Sequence, residues 1–240
     1  MHIPRLTTEQ MIEVDRLMIE EYKIELIQMM ENAGRGLARL ARERFLDNHP
    51  TGKKITILAG TGGNGGGALV AARRLHAWGA RVEIVLTKER EKFTPIPAHQ
   101  LSIVERLKIP IFQIGAIANL GQPDLILDGI IGYSVQGNPR GSAREMIDWA
   151  NEQPCPILSL DTPSGLNLTN GTLYSPIIKA AATLTLALPK HGLFETAAKK
   201  VVGELYLADI SVPPQLYTEP SLGMEVSSEL FSKDDLIRIE

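Results

Sequence analysis

Cysteine is almost absent from this chain: Cys155 is the only one in 240 residues, so no intrachain disulfide can form. Its setting, "QPCPILSL", reads as a small apolar residue at the start of a strand rather than a catalytic thiol, because no clear base sits near it in sequence. An excess of one charge is also lacking. The net charge of −3 argues against nucleic-acid binding through bulk electrostatics. No apolar run is long enough for a bilayer; the longest, around "AAATLTLALP", is far too short. The opening "MHIPRLTTEQMIEVDR" has no apolar centre of the signal-peptide kind, so the expectation is a reducing, cytoplasmic setting with no membrane partner. Repeats, low-complexity tracts and linkers are missing as well. With 44% apolar and 22% charged residues, the chain reads as one large domain over residues 1–240, its core at about 6–213 and an irregular tail at 214–240.

What is present alternates between two periods. Thr7 and Gln10 have capping-box spacing, and Met11, Val14, Leu17 and Met18 follow at helical intervals. A second helix is predicted from about Ile24 to Phe45, with Leu26, Met29, Met30, Ala33, Leu37, Leu40 and Ala41 as its apolar stripe. Next come a strand in "KITILAG", a helix to about Trp78, a strand in "ARVEIVLT" and a helix over Ile96 to Leu107. Short strands follow in "IPIFQIG" and "PDLILDGIIG", then a helix over Ser142 to Asn151, and strands in "CPILSLD", "AATLTLALP" and "GELYLADI". After Pro213 only a short helix near Asp234 is expected. Strands alternating with helices predict a Rossmann-like α/β fold, a three-layer α/β/α sandwich around a mostly parallel sheet.

Ligands of such folds bind beyond the carboxyl ends of the strands. Three loops leave that end with unusual chemistry: the glycine loop after Ala59, "DGIIGYSVQGNPRG" from Asp128, and "DTPSGLNLTNG" from Asp161. In the first, Gly60, Gly62 and Gly65 satisfy G-x-G-x-x-G between a strand and a helix. Yet the following strand ends in Thr87 and Lys88, where a dinucleotide fold wants an acid for the ribose; Lys88 is either a contact for an NADP 2′-phosphate or a solvated surface residue. No Gly-Lys-Ser/Thr makes this a Walker A loop, and no G-x-S-x-G makes a nucleophile elbow. Glycine N–H groups at a helix start suit an anion. Asn64 offers a carbonyl for a cation or a hydroxyl, or simply takes a left-handed turn. Asp128 and Asp161 both close strands, and a carboxylate there needs a pairing, hydrogen bonds or a bound cation. Tyr133 is suited to pack against a ring, with Ser134, Gln136 and Asn138 as hydrogen-bonding groups beside it. Oxygen ligands from Asn64, Asp128 and Ser164 would suit a hard cation rather than zinc, since the chain shows no His/Cys spacing for zinc.

With "LTTEQMIEVDRLMIEEY", "MMENAGRGLA" at Met29–Ala38, the glycine loop, "LDGIIG", "LDTPSGL" and "ALPKHGL", the chain resembles the YjeF N-terminal domain family over roughly Leu6 to Pro213. The resemblance implies a Rossmann-like, commonly dimeric protein that interconverts the R and S epimers of NADHX and NADPHX, the hydrated forms of NADH and NADPH. It implies a separate S-specific dehydratase as functional partner. It implies a potassium ion held by Asn64, Asp128 and Ser164. Substrate contacts would come from Gly63, Asn64, Gly65, Gly66 and Gly67, from Gly132, Tyr133, Ser134, Val135, Gln136, Gly137 and Asn138, and from Asp161. Lys190 in "PKHG" matches a frequent family lysine, and Asp161 with Lys190 forms the candidate catalytic pair.

One departure stands out. The family loop typically reads G-N-N-G-G-D-G, and here Gly63 replaces its first asparagine, Gly67 its aspartate and Ala68 the glycine that follows. A missing polar contact is worth about 1–3 kcal/mol. Two further readings follow: a catalytically impaired member that serves as a nucleotide-binding or dimerisation module, and a conventional NADP oxidoreductase, against which the absent ribose acid counts.

Overall fold

The computed structural model describes residues 3–133 and 135–239. Thr7 caps the first helix as its spacing predicts: its hydroxyl accepts from Gln10 N at 3.1 Å, and Gln10 Oε1 accepts from Thr7 N at 2.9 Å. The helix, α1 (Thr8–Glu20), buries Met11, Val14, Leu17 and Met18. The second helix, α2 (Leu26–Leu40), passes into a π turn at Ala41–Phe45, so the stripe expected to Phe45 is helical throughout but wider at its end. Gly34 brings α2 close against α3 (Gly63–Ala77); a Cβ there would overlap Val70 and the Gly67 carbonyl.

The remaining elements are β1 (Lys54–Ala59), β2 (Arg81–Leu86), α4 (Pro95–Arg106), β3 (Ile111–Gln113), β4 (Leu125–Gly129), α5 (Ser142–Glu152), β5 (Ile157–Leu160), β6 (Ala182–Leu186), a short α6 (Lys199–Val202), β7 (Glu204–Ala208) and β8 (Leu236–Arg238). One sheet holds the strands in the order β3-β2-β1-β4-β5-β6-β7-β8, all pairings parallel except β7 with β8. Alternation along the central strands divides the core between the two faces. Ile55, Ile57, Leu125 and Leu127 pack with α1–α4, whereas Leu58 and Ile126 pack with Met146 and Ile147 of α5. Both faces being covered accounts for the burial of nearly every residue in the central strands, the polar Thr56 and Ser159 included.

Three expectations are corrected. The segment near Asp234 is the antiparallel strand β8, not a helix, because it is pinned by hydrogen bonds and charge: Asp209 N donates to Asp235 O at 2.9 Å, and Arg39 Nη1 binds Asp234 at 2.6 Å. The tail is therefore not merely irregular. Its turn at Pro214–Thr218 buries Leu216 and Tyr217, and β8 closes the sheet edge beside β7. The glycine loop is also shorter than the sequence suggests, since Gly63 to Gly67 already form the first turns of α3.

Candidate active site

The strand order reverses at β1, whose neighbours are β2 and β4, so the connections leaving β1 and β4 diverge and open a crevice at their carboxyl ends. Gly60 N donates to Gly129 O at 2.9 Å and ties the two ends together. Gly65 then packs on the Gly60 carbonyl, where any Cβ would overlap that oxygen. This close approach aims the N-terminus of α3 into the crevice, with the unpaired N–H groups of its first turn facing outward. Asn64 Nδ2 donates to Leu160 O at 2.6 Å, while its Oδ1 faces Gly132: a Cβ on Gly132 would stand 2.7 Å from it.

Asp128 lies fully buried at the end of β4. Its carboxylate accepts from Ser164 Oγ at 2.6 Å, Ser159 Oγ at 2.8 Å, Ser164 N at 2.9 Å and Ile130 N at 3.2 Å. Burial pushes its pKa up, and these hydrogen bonds oppose the shift. All of these donors are neutral, so the buried charge has no cationic counterpart among them, the situation a bound cation relieves. Asp128 and Ser164 are thus brought together, whereas Asn64 is tied to Leu160 and Gly132 instead and does not touch them. Asp128 and Ser164 offer oxygen atoms, the donor type that hard cations take.

The third feature is a buried ion pair. Lys190, with no exposed surface, places Nζ 2.6 Å from Asp161 Oδ1 and 2.9 Å from Leu186 O. Thr185 Oγ1 and Leu186 N also reach Asp161 Oδ1, at 3.1 and 3.3 Å, which leaves Oδ2 outside these contacts. Asp161 adopts φ = 63°, a left-handed conformation that Asp and Asn tolerate better than other non-glycine residues. Lys190 is held from the other side by backbone pairing with Leu6, as Leu6 N donates to Pro189 O and His191 N to Leu6 O.

Two adjoining cavities occupy the crevice. The inner one, about 90 Å³, has walls of Met11, Met29, Met30, Leu160 and Leu186 around Asp161 and Lys190. The outer one, about 300 Å³, runs along Gly62, Gly65, Ile130 and Gly132. Asp15, Leu26, Gly63, Asn64 and Tyr133 belong to both. At this boundary Tyr133 Oη donates to Asp15 Oδ2 at 2.9 Å. Burial raises the pKa of each partner.

Gly63, Asn64, Gly65, Gly132, Tyr133, Asp161 and Lys190 therefore line the crevice, as the sequence suggests. Gly66 and Gly67 are buried in α3 against Met30 and Leu160 rather than in either cavity. Val135 is buried, and Gln136, Gly137 and Asn138 are exposed; Asn138 Oδ1 accepts from Ser175 N at 3.0 Å. Ser134 lies outside the described residues. Sequence reading missed Asp15. The available signal was its spacing: it stands four residues after Met11, as an acid on the edge of the apolar stripe of α1.

The profile of the family described as "YjeF-related protein N-terminus" matches residues 26–192. A protein of Dehalogenimonas lykanthroporepellens named NAD(P)H-hydrate epimerase is 39% identical over 224 residues, covering 92% of this chain and 87% of the relative. Its namesake from Rhodopirellula baltica is 32% identical over 225 residues, covering 92% and 90%. The "Bifunctional NAD(P)H-hydrate repair enzyme Nnr" of Salinibacter ruber is 32% identical over 88% of this chain, which spans 41% of that longer protein. Among solved structures, yeast YNL200c superposes with a TM-score of 0.79 at 22% identity, covering 99% of this chain and all of that one, and so shares the fold.

Proposed function

The chain belongs to the family of YjeF-related protein N-termini, and from that membership together with the site geometry we propose that it is an NAD(P)H-hydrate epimerase. The observation that carries this reading is the buried Lys190–Asp161 pair on the floor of a small apolar chamber that opens onto the glycine-lined N-terminus of α3. In the proposal, the diphosphate of the substrate lies along Gly62–Gly65, where helix N–H groups favour an anion. The hydrated ring enters the inner chamber. Lys190 holds Asp161 in position, and Asp161 moves a proton on the ring hydroxyl as the hydrated carbon inverts.

Asp128 and Ser164, with Asn64 nearby, would hold the potassium ion. Bound there, the ion would balance the buried Asp128 charge and add positive potential for the phosphates. A separate S-specific dehydratase would consume the product; the longer bifunctional relatives, whose length this chain only partly spans, support such a coupling. The homodimer implied by the resemblance is part of the same proposal, and light scattering at twice the monomer mass checks it.

The test supplies R-NADHX and an S-specific dehydratase. Added protein is expected to consume the R form faster than it epimerises spontaneously. Consumption at the spontaneous rate would overturn the enzyme reading and leave the ligand-binding module, which isothermal titration with NADP would then detect.

A further inference from the structure

A hydrated carbon inverts when water leaves from one face of the ring and returns on the other, a route that a carboxylate on each face would serve. We propose that Asp15 is the second proton-transfer residue of the inner chamber, acting from the α1 wall while Asp161 acts from the end of β5. The inference rests on the epimerase reading.

The two carboxylates are presented alike. Each lines the inner cavity, and each has one oxygen held by the protein. Lys190, Thr185 and Leu186 N reach Asp161 Oδ1, and Tyr133 reaches Asp15 Oδ2. Asp161 Oδ2 and Asp15 Oδ1 are the oxygens left for a ligand. Asp15 forms no ion pair with Lys190, whose ammonium is paired with Asp161 instead. Tyr133, Lys190, Asp161 and the buried Tyr217 are the titratable groups that act on it; burial raises its pKa, with Lys190 and the Tyr133 hydrogen bond opposing. Asp15 is therefore suited to carry a proton into the chamber that Asp161 also lines.

Hydration of the enamine double bond in a dihydronicotinamide places the hydroxyl on the carbon bonded to the ring nitrogen. Protonated Asp15 gives its proton to that hydroxyl as the C–O bond breaks. The bonding pair leaves on oxygen, water departs, and the nitrogen lone pair closes an N=C bond with positive charge. Water then adds to the other face, forming a new C–O bond while the N=C pair returns to nitrogen. The proton released by this water goes to Asp161. One water leaves, one enters, and nothing is oxidised or reduced. The opposite epimer runs the same steps backward, with Asp161 as acid and Asp15 as base.

The decisive variant is Asp15→Asn, which keeps an acceptor for Tyr133 but cannot donate or take the proton. It is expected to lower kcat on R-NADHX by about 10²–10⁴-fold, with KM within about threefold of wild type. Asp15→Glu is expected to recover part of the loss. A kcat for Asp15→Asn within about threefold of an active wild type overturns the assignment and leaves the epimerase reading intact. An inactive wild type overturns both. If Asp15→Asn does not fold, the wild-type pH profile decides: a bell-shaped kcat/KM supports an acid and a base of unlike pKa, and a flat profile from about pH 5 to 9 removes them.

Discussion

Lys190→Met is the sharpest test of how this site is held together. The ammonium lies 2.6 Å from Asp161 Oδ1, and the two side chains are 0% and 3% exposed. With an effective dielectric constant of about 20, their attraction is roughly 6 kcal/mol. Desolvating both ions offsets most of that gain, so the intact pair contributes little net stability. Removing one partner is different, because a buried carboxylate then loses its counter-charge, at a cost of about 3–5 kcal/mol. Methionine fills most of the space of the lysine stem, so lost packing is a small part of the effect. Asp161 retains donors from Thr185 and Leu186 N, which places the expected loss toward the lower end of that range. Adding Asp161→Asn removes the stranded charge while keeping a residue type that tolerates the left-handed backbone. The double variant is therefore expected to be more stable than Lys190→Met alone by about 2 kcal/mol. Urea unfolding followed by Trp78 and Trp149 fluorescence gives the midpoints and slopes. A loss below about 1 kcal/mol for Lys190→Met, or strict additivity of the two changes, would refute the reasoning.

Three further outcomes are expected. At about 100 mM, KCl should raise the melting temperature above that in NaCl, and Asp128→Asn should abolish the difference; equal melting of the wild type in both salts counts against a potassium site. Gly63→Asn, at a position whose Cβ meets nothing within 4 Å, should change stability by less than about 0.5 kcal/mol, whereas Gly67→Asp places its Cβ 2.6 Å from Leu160 Cδ2 in a buried position and should cost at least about 2 kcal/mol in the same urea assay. Because burial raises the Asp15 pKa, the folded state holds its proton more tightly than the unfolded state, so this group's contribution is complete below its unfolded pKa of about 3.9 and declines as pH rises through the folded value. Asp15→Asn lacks that decline and should gain on the wild type in urea midpoint as pH rises above about 4; a gap that moves the other way would count against a raised Asp15 pKa.

The parts of this molecule that were legible in its sequence are those set by local rules. The Thr7–Gln10 cap, the period of α1 and the apolar run Leu125–Leu127 of β4 each follow from spacing alone, and the structure repeats them. Asp128 and Asp161 could be placed near one another because both close parallel strands, and such strands end on one side of a sheet. What spacing could not supply was anything fixed by a distant partner. Strand β8 is pinned by Asp234 and Asp235 to Arg35 and Arg39, roughly two hundred residues earlier in the chain, and its own sequence carries a weak strand signal. The same holds for Asp15, whose meaning depends on Tyr133 arriving from another element. The glycine run shows how a motif changes sense in three dimensions. Gly67 reads in one dimension as a lost acidic contact, yet in the fold it is a helix residue packed against Leu160, with no room for an acid unless Leu160 moves. The carboxylates that do line the chamber come from α1 and from the end of β5. A change at position 67 therefore bears on packing between α3 and β5 before it bears on chemistry, because Asp15 and Asp161 line the chamber whatever stands there.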